Sequence, residues 1–561
     1  MAATPGTTVK RETEQSVGRH PTVQSHTMDY QLTIDAIARH AESMTPHKPI
    51  YGYRADGSFA ETTWGATIGR ARWLAAGLEQ LGIRRGELVA TLAWNTVEHL
   101  EAYFAVPMMG AALHTLNTRL HVEDTARILE DAGTAILIVA ADLVDVADEL
   151  RERVRLHHVI VIGDDVPSWA LRYEDVVNSG SRLRFAEPTP ELDEREVCSL
   201  CYTTGTTGHP KGVAYSHRAL AIQSLVLMAS DFEGLREEDV VLVVVPMFHA
   251  NAWGHPYAAA LAGASLVLPH RDLSAESLLT LIHRHGVTHT GGVATVWAEV
   301  LQVLDRDPAR FDTSSLRVLR FGGAKAPVSL LRGFEERHGI HVVHGWGMTE
   351  MSPMGAMAVP TKDLRGASAE VRWKTRAKQG RPIPFLRLRL RAEDGSLAPW
   401  DGATPGEVEA RGPSVIGSYL NGRGADSFTD DGWLRTGDVG TIDPRGYLEI
   451  VDRAKDLIKS GGEWISSVAL EQSLEEHPAV REAAVIAVSD ARWGERPLAV
   501  VVVDEQIPVT ASDLSRFLRG RHPAWWVPER IEISQQLPRT AAGKIRKVDL
   551  RSEFGVSGSS S

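Results

Sequence analysis

Short apolar runs alternate with amphipathic segments along most of the chain, and this alternation limits the possible folds more than any other feature. Residues 135–139 and 159–162 contain only Ala, Ile, Leu and Val. Residues 66–81 instead carry their apolar side chains at helical spacing, and Gly82 follows as a helix stop. Strands that are apolar on both faces are typical of parallel sheets covered by helices. The sequence therefore predicts an α/β fold.

Three later apolar runs are expected to place loops at a common edge of such a sheet. They end at a proline or a glycine pair and cover residues 240–245, 264–268 and 316–321. Parallel strands bring their carboxyl ends to one edge, where open α/β sheets bind ligands. Residues 380–450 differ, because short alternating segments there are broken by Gly and Pro. This texture predicts a small antiparallel β subdomain.

The length of 561 residues exceeds what one hydrophobic core usually supports. After Arg453, helical and strand patterns form a compact α+β unit of about a hundred residues, within the usual size of a domain. We therefore expect a large N-terminal domain of two α/β sheets plus the β subdomain, followed by a small C-terminal domain. The predicted boundaries are a disordered leader at 1–27, an N-terminal domain at 28–453 with its β subdomain at about 380–450, a C-terminal domain at 454–552 and a disordered tail at 553–561.

Composition narrows the class of protein. A formal net charge of −12 with no outstanding basic stretch argues against nucleic-acid binding. The chain contains no run of eighteen apolar residues, so no membrane-spanning helix is predicted. Residues 1–27 lack the apolar core of a signal peptide. The two cysteines, Cys198 and Cys201, are spaced like a redox pair or half a zinc site, but they lie in a predicted buried strand. We expect them to pack in the core of a cytoplasmic protein.

A loop suited to phosphate lies between Tyr202 and Gly212, where four threonines, three glycines and a lysine follow a predicted strand. Glycines allow backbone N–H groups to converge on an anion, and hydroxyls and a cation add to the site. Pro210 precedes the lysine and a glycine follows it, and this order differs from that of a Walker A loop. A polar hairpin turn is the alternative. The predicted phosphate ligands are Thr203, Thr204, Gly205, Thr206, Thr207, Gly208 and Lys211.

Four further motifs follow in order, at residues 344–350, 432–438, 452–456 and 538–544. Together with the phosphate loop, they resemble the adenylate-forming superfamily of acyl-CoA synthetases, peptide-synthetase adenylation domains and luciferases. The resemblance covers roughly residues 30 to 552. It is closest to bacterial medium-chain fatty-acyl-CoA ligases, through residues 215–218 and 459–467.

The resemblance implies an ATP site. It assigns a phosphate contact to Thr349 and a Mg²⁺ ligand to Glu350, and a carboxylate suits Mg²⁺. Asp438 would accept the ribose hydroxyls and Arg453 would contact ribose or phosphate. A helix-capping Thr-Glu pair and a surface Asx turn are the alternatives at 349–350 and 438. The implied adenine slot consists of Gly323, Ala324, Gly345, Trp346, Gly347 and Met348.

The resemblance also implies a mobile C-terminal domain. Lys455 would be its hinge, and Lys544 would bridge the acyl carboxylate and the α-phosphate, where a cation relieves the repulsion of two anions. Lys544 would share the catalytic role with His249, Thr204 and Glu350. After the hinge turns, CoA would pass Lys459, Gly461, Gly462, Glu463 and Trp464. The alternative for Lys455 is a solvated linker, that for Lys544 is a basic tail patch, and that for residues 459–464 is a tight turn.

The acyl pocket is the least specified site. By resemblance His249 lies beside the carboxylate, and the pocket includes Trp253, Gly292 and Gly323. A packed loop histidine and a core tryptophan are the alternatives. Residues 291–297 and Pro384-Phe385 depart from the family pattern and leave the usual straight-chain acid in question.

The predicted function is ATP-dependent activation of a medium-chain or aryl acid through an acyl-adenylate, with transfer to CoA and release of AMP and pyrophosphate. The expected partners are the carboxylic acid, ATP, Mg²⁺ and CoA, with a possible homodimer. An adenylating enzyme that uses a carrier-protein thiol, an amine or nitrite is the alternative. A non-catalytic nucleotide-binding relative is disfavoured by Lys544, Glu350 and Asp438.

Overall fold

A computed structural model describes residues 27–182, 191–203, 210–323, 325–461, 463–504, 506–539 and 545–554. The predicted leader up to residue 26 and most of the predicted tail therefore lie outside the described residues. The chain forms two large, mostly parallel sheets, one antiparallel sheet and one smaller C-terminal sheet. The predicted α/β fold with a small C-terminal α+β unit is confirmed.

The first large sheet carries the strand that leads into the phosphate loop. Its strands are parallel except for an antiparallel pair at the phosphate-loop edge. In spatial order they are Leu171–Arg172, His158–Ile162, Ile136–Ala140, Leu88–Leu92, Ala112–Thr115, Val197–Thr203 and Lys211–Ser216.

The second large sheet is parallel in its centre and antiparallel at both edges. In spatial order its strands are Arg381–Pro382, Met354–Met357, Val342–Gly347, Val318–Phe321, His289–Gly292, Val240–Leu242, Ser265–Leu268, Pro49–Tyr53 and Phe59–Thr63. The predicted strand 240–245 is shorter than expected, because the side chain of Asn95 donates to the carbonyls of Val243 and Val245.

The β subdomain is an antiparallel sheet of Arg387–Arg391, Gly406–Arg411, Leu434–Ile442 and Leu448–Arg453. The C-terminal sheet consists of Glu463–Ile465, Ile458–Ser460, Gly494–Val503 and Val480–Asp490, and Arg530–Ser534 pairs with the third of these strands.

The helices cover the faces of these sheets, and amphipathic sequences with polar N-caps account for many of them. Thr33, Thr63 and Thr96, for example, cap their helices with side-chain oxygens. The helices are Ile34–Met44, Trp64–Gln80, Val97–Met108, Val122–Ala132, Val144–Arg153, Tyr173–Ser181, His217–Met228, His255–Ala262, Ala275–His285, Ala294–Arg306, Val328–Arg332, Lys362–Arg365, Ala369–Arg376, Ser467–Glu475, Ala511–Arg519 and Lys547–Phe554.

The last helix reaches two residues beyond the predicted domain end at 552. Among the described helices, none combines the length and apolarity needed to cross a membrane. Cys198 and Cys201 are buried and free, as expected for core residues.

Candidate active site

The phosphate loop is flanked by two strands of the first sheet. Thr203 ends one strand and Lys211 begins the next. The predicted ligands Thr204, Gly205, Thr206, Thr207 and Gly208 lie outside the described residues, so the structure places only the two ends of the loop.

Lys211 turns from its strand toward the β subdomain. Its Nζ lies 4.8 Å from the ring centroid of Tyr419 and donates to Ser427 Oγ at 3.5 Å. A Cβ at Gly424 would lie 2.8 Å from this Nζ, so glycine leaves room for the lysine. The cation is therefore held against an aromatic face.

Glu350 lies on a short turn, Thr349–Met351, and is only 6% exposed. Its Oε1 accepts a hydrogen bond from the Tyr419 hydroxyl at 2.6 Å. The hydroxyl of Tyr215 donates to the Thr349 carbonyl at 2.7 Å and supports the same turn. Tyr419 therefore connects the predicted metal ligand with Lys211, a role that the sequence analysis missed because Tyr419 lies 69 positions from Glu350.

Asp438 brings the predicted ribose and adenine residues together. The carboxylate is buried, and its two oxygens have separate partners. Arg453 Nε lies 2.7 Å from Oδ1, and Trp346 Nε1 donates to Oδ2 at 2.8 Å. A ribose hydroxyl at this carboxylate would share it with an indole and a guanidinium.

Close backbone neighbours or a positive φ favour glycine at three positions of the predicted adenine slot. A Cβ at Gly347 would lie 2.0 Å from the carbonyl oxygen of Pro353, and one at Gly345 would lie 3.2 Å from that of Ala356. Gly323 has a φ of +81°, which favours glycine. Met348 follows the strand and donates its N–H to Pro353, and Ala324 lies outside the described residues.

The predicted hinge lies between two anchored residues. Arg453 is tied to Asp438 in the β subdomain, while Arg551 of the last helix donates to the Asp456 carboxylate and to the carbonyl of Lys455. Ala454 and Lys455 therefore form the short connection between the anchors.

The predicted CoA segment forms a turn in the C-terminal unit. Gly461 has a φ of +62° and donates its N–H to the carbonyl of Trp493 at 2.8 Å. Lys459 Nζ lies 4.3 Å from the ring of Trp464 and donates to Glu393 at 2.6 Å. Glu463 begins the returning strand. Gly462 and the predicted catalytic Lys544 lie outside the described residues.

A left-handed backbone turn follows His249. Ala250, Asn251, Ala252 and Trp253 all have φ between +43° and +55°. Each non-glycine residue in this conformation costs about 1–2 kcal/mol, so surrounding contacts must hold the turn. One such contact is the bond from Ser199 Oγ to Asn251 Oδ1 at 3.1 Å, which joins the turn to the first sheet.

The turn presses Trp253 against the glycine pair of the second sheet. A Cβ at Gly322 would lie 2.9 Å from the indole ring, and one at Gly323 would lie 3.9 Å from it. His249 is partly buried just before the turn, and its N–H donates to the carbonyl of Pro246. The structure therefore brings Trp253 and Gly323 together, and their role in an acyl pocket stays a prediction.

Gly292 does not share this contact. A Cβ there would point at Trp297, 3.0 Å from its Nε1, and at Val244, in a separate part of the core. Its strand neighbour Gly291 instead faces Arg320. A larger residue at 292 would therefore press on the core, and the place of Gly292 in the acyl pocket stays a prediction. Phe385, the other departure from the family pattern, is 76% exposed.

Three comparisons with known proteins point to the same family of enzymes. The family model for AMP-binding enzyme matches residues 38–420, and that for AMP-binding enzyme C-terminal domain matches residues 469–544. A long-chain-fatty-acid–CoA ligase of Thermus thermophilus is 42% identical over 94% of this chain and 96% of its own length. A 3-methylmercaptopropionyl-CoA ligase of Ruegeria lacuscaerulensis is 38% identical over 94% and 98%. The crystal structure of the anthranilate CoA ligase AuaEII with anthranoyl-AMP has a TM-score of 0.82 at 27% identity, covering 93% and 97% of the two chains.

Proposed function

Because the chain belongs to the AMP-binding enzyme family, we propose that it is an acid–thiol ligase that converts a carboxylic acid to its acyl-CoA at the expense of ATP. In the first half-reaction a carboxylate oxygen bonds to the α-phosphorus of ATP, and pyrophosphate leaves. In the second, the thiol sulfur of CoA bonds to the acyl carbon, AMP leaves, and the thiol proton passes to solvent. The relatives named above as CoA ligases support both steps.

The arrangement of Lys211, Tyr419 and Glu350 is the observation that carries the proposal. A cation and a buried carboxylate are held on one tyrosine beside the phosphate loop. That pair suits a triphosphate with its metal, because Lys211 would contact phosphate oxygens and Glu350 would hold the metal. Asp438 and Trp346 then supply a carboxylate and an aromatic surface for the nucleoside.

A single carboxylate fits Mg²⁺ in this role. Among the described residues there is no cluster of three His, Cys, Asp or Glu side chains that could hold a metal alone. Mg²⁺ commonly takes one or two carboxylates and completes its shell with phosphates and water. When bound through Glu350, it would neutralise charge on the phosphates of ATP.

The remaining site residues are assigned by their positions in the family motifs. Lys544 would lie between the acyl carboxylate and the α-phosphate during adenylation, and His249 would lie beside the carboxylate. For the second half-reaction, rotation at Lys455 would bring the turn at 459–464 to the site. Gly461 in this segment has a positive φ and donates its N–H to the carbonyl of Trp493, and glycine would leave room for a thin pantetheine arm.

The relatives leave the acid open, because one is named for a long-chain acid and another for the short 3-methylmercaptopropionyl group. A screen of pyrophosphate release over alkyl, aryl and oxo acids, with and without CoA, tests the proposal. We expect acid-dependent pyrophosphate release, and AMP release that increases strongly with CoA. Glu350→Gln should suppress both. Turnover driven by an amine or by nitrite, with no thioester from any acid, would overturn the assignment of CoA as acceptor.

Size-exclusion chromatography with light scattering tests the proposed homodimer, and cell fractionation tests the proposed cytoplasmic location.

A further inference from the structure

A loop of the second sheet is held by buried side chains of the first sheet. The histidine loop (residues 243–251) follows the strand that ends at Leu242 and contains His249. Asn95, which comes just after a strand of the first sheet, donates to two carbonyls of this loop at 2.7 and 3.0 Å. Its Oδ1 accepts the N–H of Met247 at 2.8 Å. One amide side chain therefore fixes the first half of the histidine loop.

Three hydroxyl groups hold the second half of the histidine loop. Tyr103 and Thr115 donate to two consecutive carbonyls of the loop, Thr115 at 3.2 Å. Ser199 Oγ lies 3.1 Å from Asn251 Oδ1 and 3.2 Å from the carbonyl of Leu113 in the neighbouring strand. All three hydroxyls come from the first sheet or from the helix between two of its strands. The position of the loop is therefore set by the first sheet.

The first sheet also carries the phosphate loop. Ser199 lies in the strand Val197–Thr203, whose last residue leads into that loop. Ser199 is 0% exposed and Asn251 is 1% exposed, so water does not compete for their contact. Cys201, two residues further along the strand, places its Sγ 3.5 Å from the same Oδ1. A buried contact thus joins the strand that leads into the phosphate loop to the loop that contains His249.

Backbone strain occurs at the same place. Asn251 has a φ of +52° and is one of four consecutive non-glycine residues with positive φ. Such strain persists only where surrounding contacts hold it, and it is concentrated at functional sites. Glycine could form a left-handed turn without this strain. The side chain at 251 therefore has a role that glycine could not fill, and the contact with Ser199 is that role.

Activation of an acid depends on accurate placement of two anions. The carboxylate oxygen must lie close to the α-phosphorus and in line with the leaving pyrophosphate, although the two groups repel each other. A misplacement of 1 Å can cost about 10²-fold in rate. Loops from two different sheets can maintain this geometry only if they are fixed relative to each other.

We propose that Ser199 and Asn251 are positioning residues for acid activation. Their contact sets the histidine loop relative to the phosphate loop, so that the carboxylate beside His249 meets the α-phosphorus of ATP. Neither side chain has to touch the substrate. The contact matters for adenylate formation, where two molecules must be aligned, and not for thioester formation, where the acid and AMP are already joined. This inference rests on the proposed function and names the residues that couple its two binding loops.

Asn251→Gly tests the contact without adding backbone strain, because glycine adopts a positive φ at no steric cost. We expect the single-turnover rate of adenylate formation at saturating acid and ATP to fall by about 10- to 100-fold. The KM for ATP and the conversion of a supplied acyl-adenylate to thioester should stay unchanged. Ser199→Ala should slow adenylate formation by about 3- to 10-fold, the effect of one neutral hydrogen bond. Ser199→Cys keeps a weak donor and should recover part of the rate.

The double variant Ser199→Ala/Asn251→Gly should be no slower than Asn251→Gly, because both substitutions remove the same contact. Ser224→Ala is the matched control, since Ser224 is also 0% exposed but donates to the carbonyl of Leu220 in its own helix. It should form adenylate at the wild-type rate. Single effects that multiply in the double variant would overturn the inference.

A merely structural role has a different signature. It would lower Tm and slow both half-reactions equally, and that result would also overturn the inference. If Asn251→Gly does not fold, the comparison of Ser199→Ala with Ser224→Ala still decides. If no acid releases pyrophosphate with the wild type, the proposed function fails. If the wild type activates acids but the variants keep the wild-type ratio of the two half-reaction rates, only this inference fails.

Discussion

Replacing Tyr419 by phenylalanine should lower the apparent affinity of the enzyme for Mg²⁺. The substitution removes the hydroxyl that donates to Glu350 at 2.6 Å but keeps the ring beneath Lys211. Burial and the neighbouring Glu350 raise the pKa of Tyr419, so the phenol keeps its proton and remains a donor. Tyr419→Leu would remove the ring contact as well.

The magnitude follows from the type of bond. A hydrogen bond to a charged group contributes about 1.5–3 kcal/mol, which corresponds to about 10- to 150-fold in an equilibrium constant. Loss of a partner that orients a metal ligand usually costs about 10- to 100-fold in metal affinity or activity. We therefore expect the apparent Mg²⁺ affinity of Tyr419→Phe to fall by about 10- to 100-fold, with ATP binding in the absence of Mg²⁺ little changed.

Two Mg²⁺ titrations at fixed ATP measure the effect, one by thermal shift and one by pyrophosphate release. Tyr202→Phe is the matched control, because its hydroxyl also donates to a carboxylate, that of Asp131 at 2.8 Å. It should titrate like the wild type. If Tyr419→Phe shows the same Mg²⁺ dependence as both, the bond to Glu350 does not position a metal ligand.

Three further outcomes are expected. Lys455→Pro should form adenylate and accumulate it, because proline fixes φ near −65°; equal slowing of both half-reactions in single-turnover assays would show that the connection is not a hinge. Lys544→Ala should slow adenylation by about 10²–10³ while a supplied acyl-adenylate is still converted to thioester; a normal rate of adenylate formation would refute its catalytic role. In the wild type, Arg320 and His255 hold the pKa of Glu233 at about 2 despite its burial. The charged carboxylate therefore stabilises the fold above pH 4.5, the ordinary pKa of the group, and this effect is lost as the pH falls toward 2. In Arg320→Met that carboxylate is buried without its cation, so its pKa should rise above 4.5 and Tm should fall relative to wild type as pH increases from about 5 to 8.

The fold was largely predictable because its signals are local. Apolar runs such as 135–139 and 159–162 became central parallel strands, and the alternating texture after residue 380 became an antiparallel sheet. The exception at 243–245 depends on the side chain of Asn95, which competes for the backbone from about 150 positions away. No local pattern contains that information.

The nucleotide end of the site was predictable in part, since its residues lie in contiguous motifs. Asp438 and Trp346 come from separate motifs and meet as expected, although their roles in binding nucleotide stay predictions. Tyr419 carries no charge and lies outside those motifs, so only the fold reveals that it joins Lys211 to Glu350.

The residues proposed to contact the acid could not be assigned from the sequence, because the assignment depends on which face of a strand each residue occupies. A shift of one residue reverses the face of a β-strand, and this separates Gly291, which faces Arg320, from Gly292, which faces Trp297. Arg320, Glu233 and His255 are scattered over 88 positions and form a cluster only in the fold. The strained turn that carries Trp253 lies against Arg320, so backbone strain and buried charge occur side by side in the fold. Both features cost stability, and both are expected where function rather than stability determines the residues. The motifs shared with the family are thus visible in the sequence, whereas the contacts around Trp253 appear only in the fold.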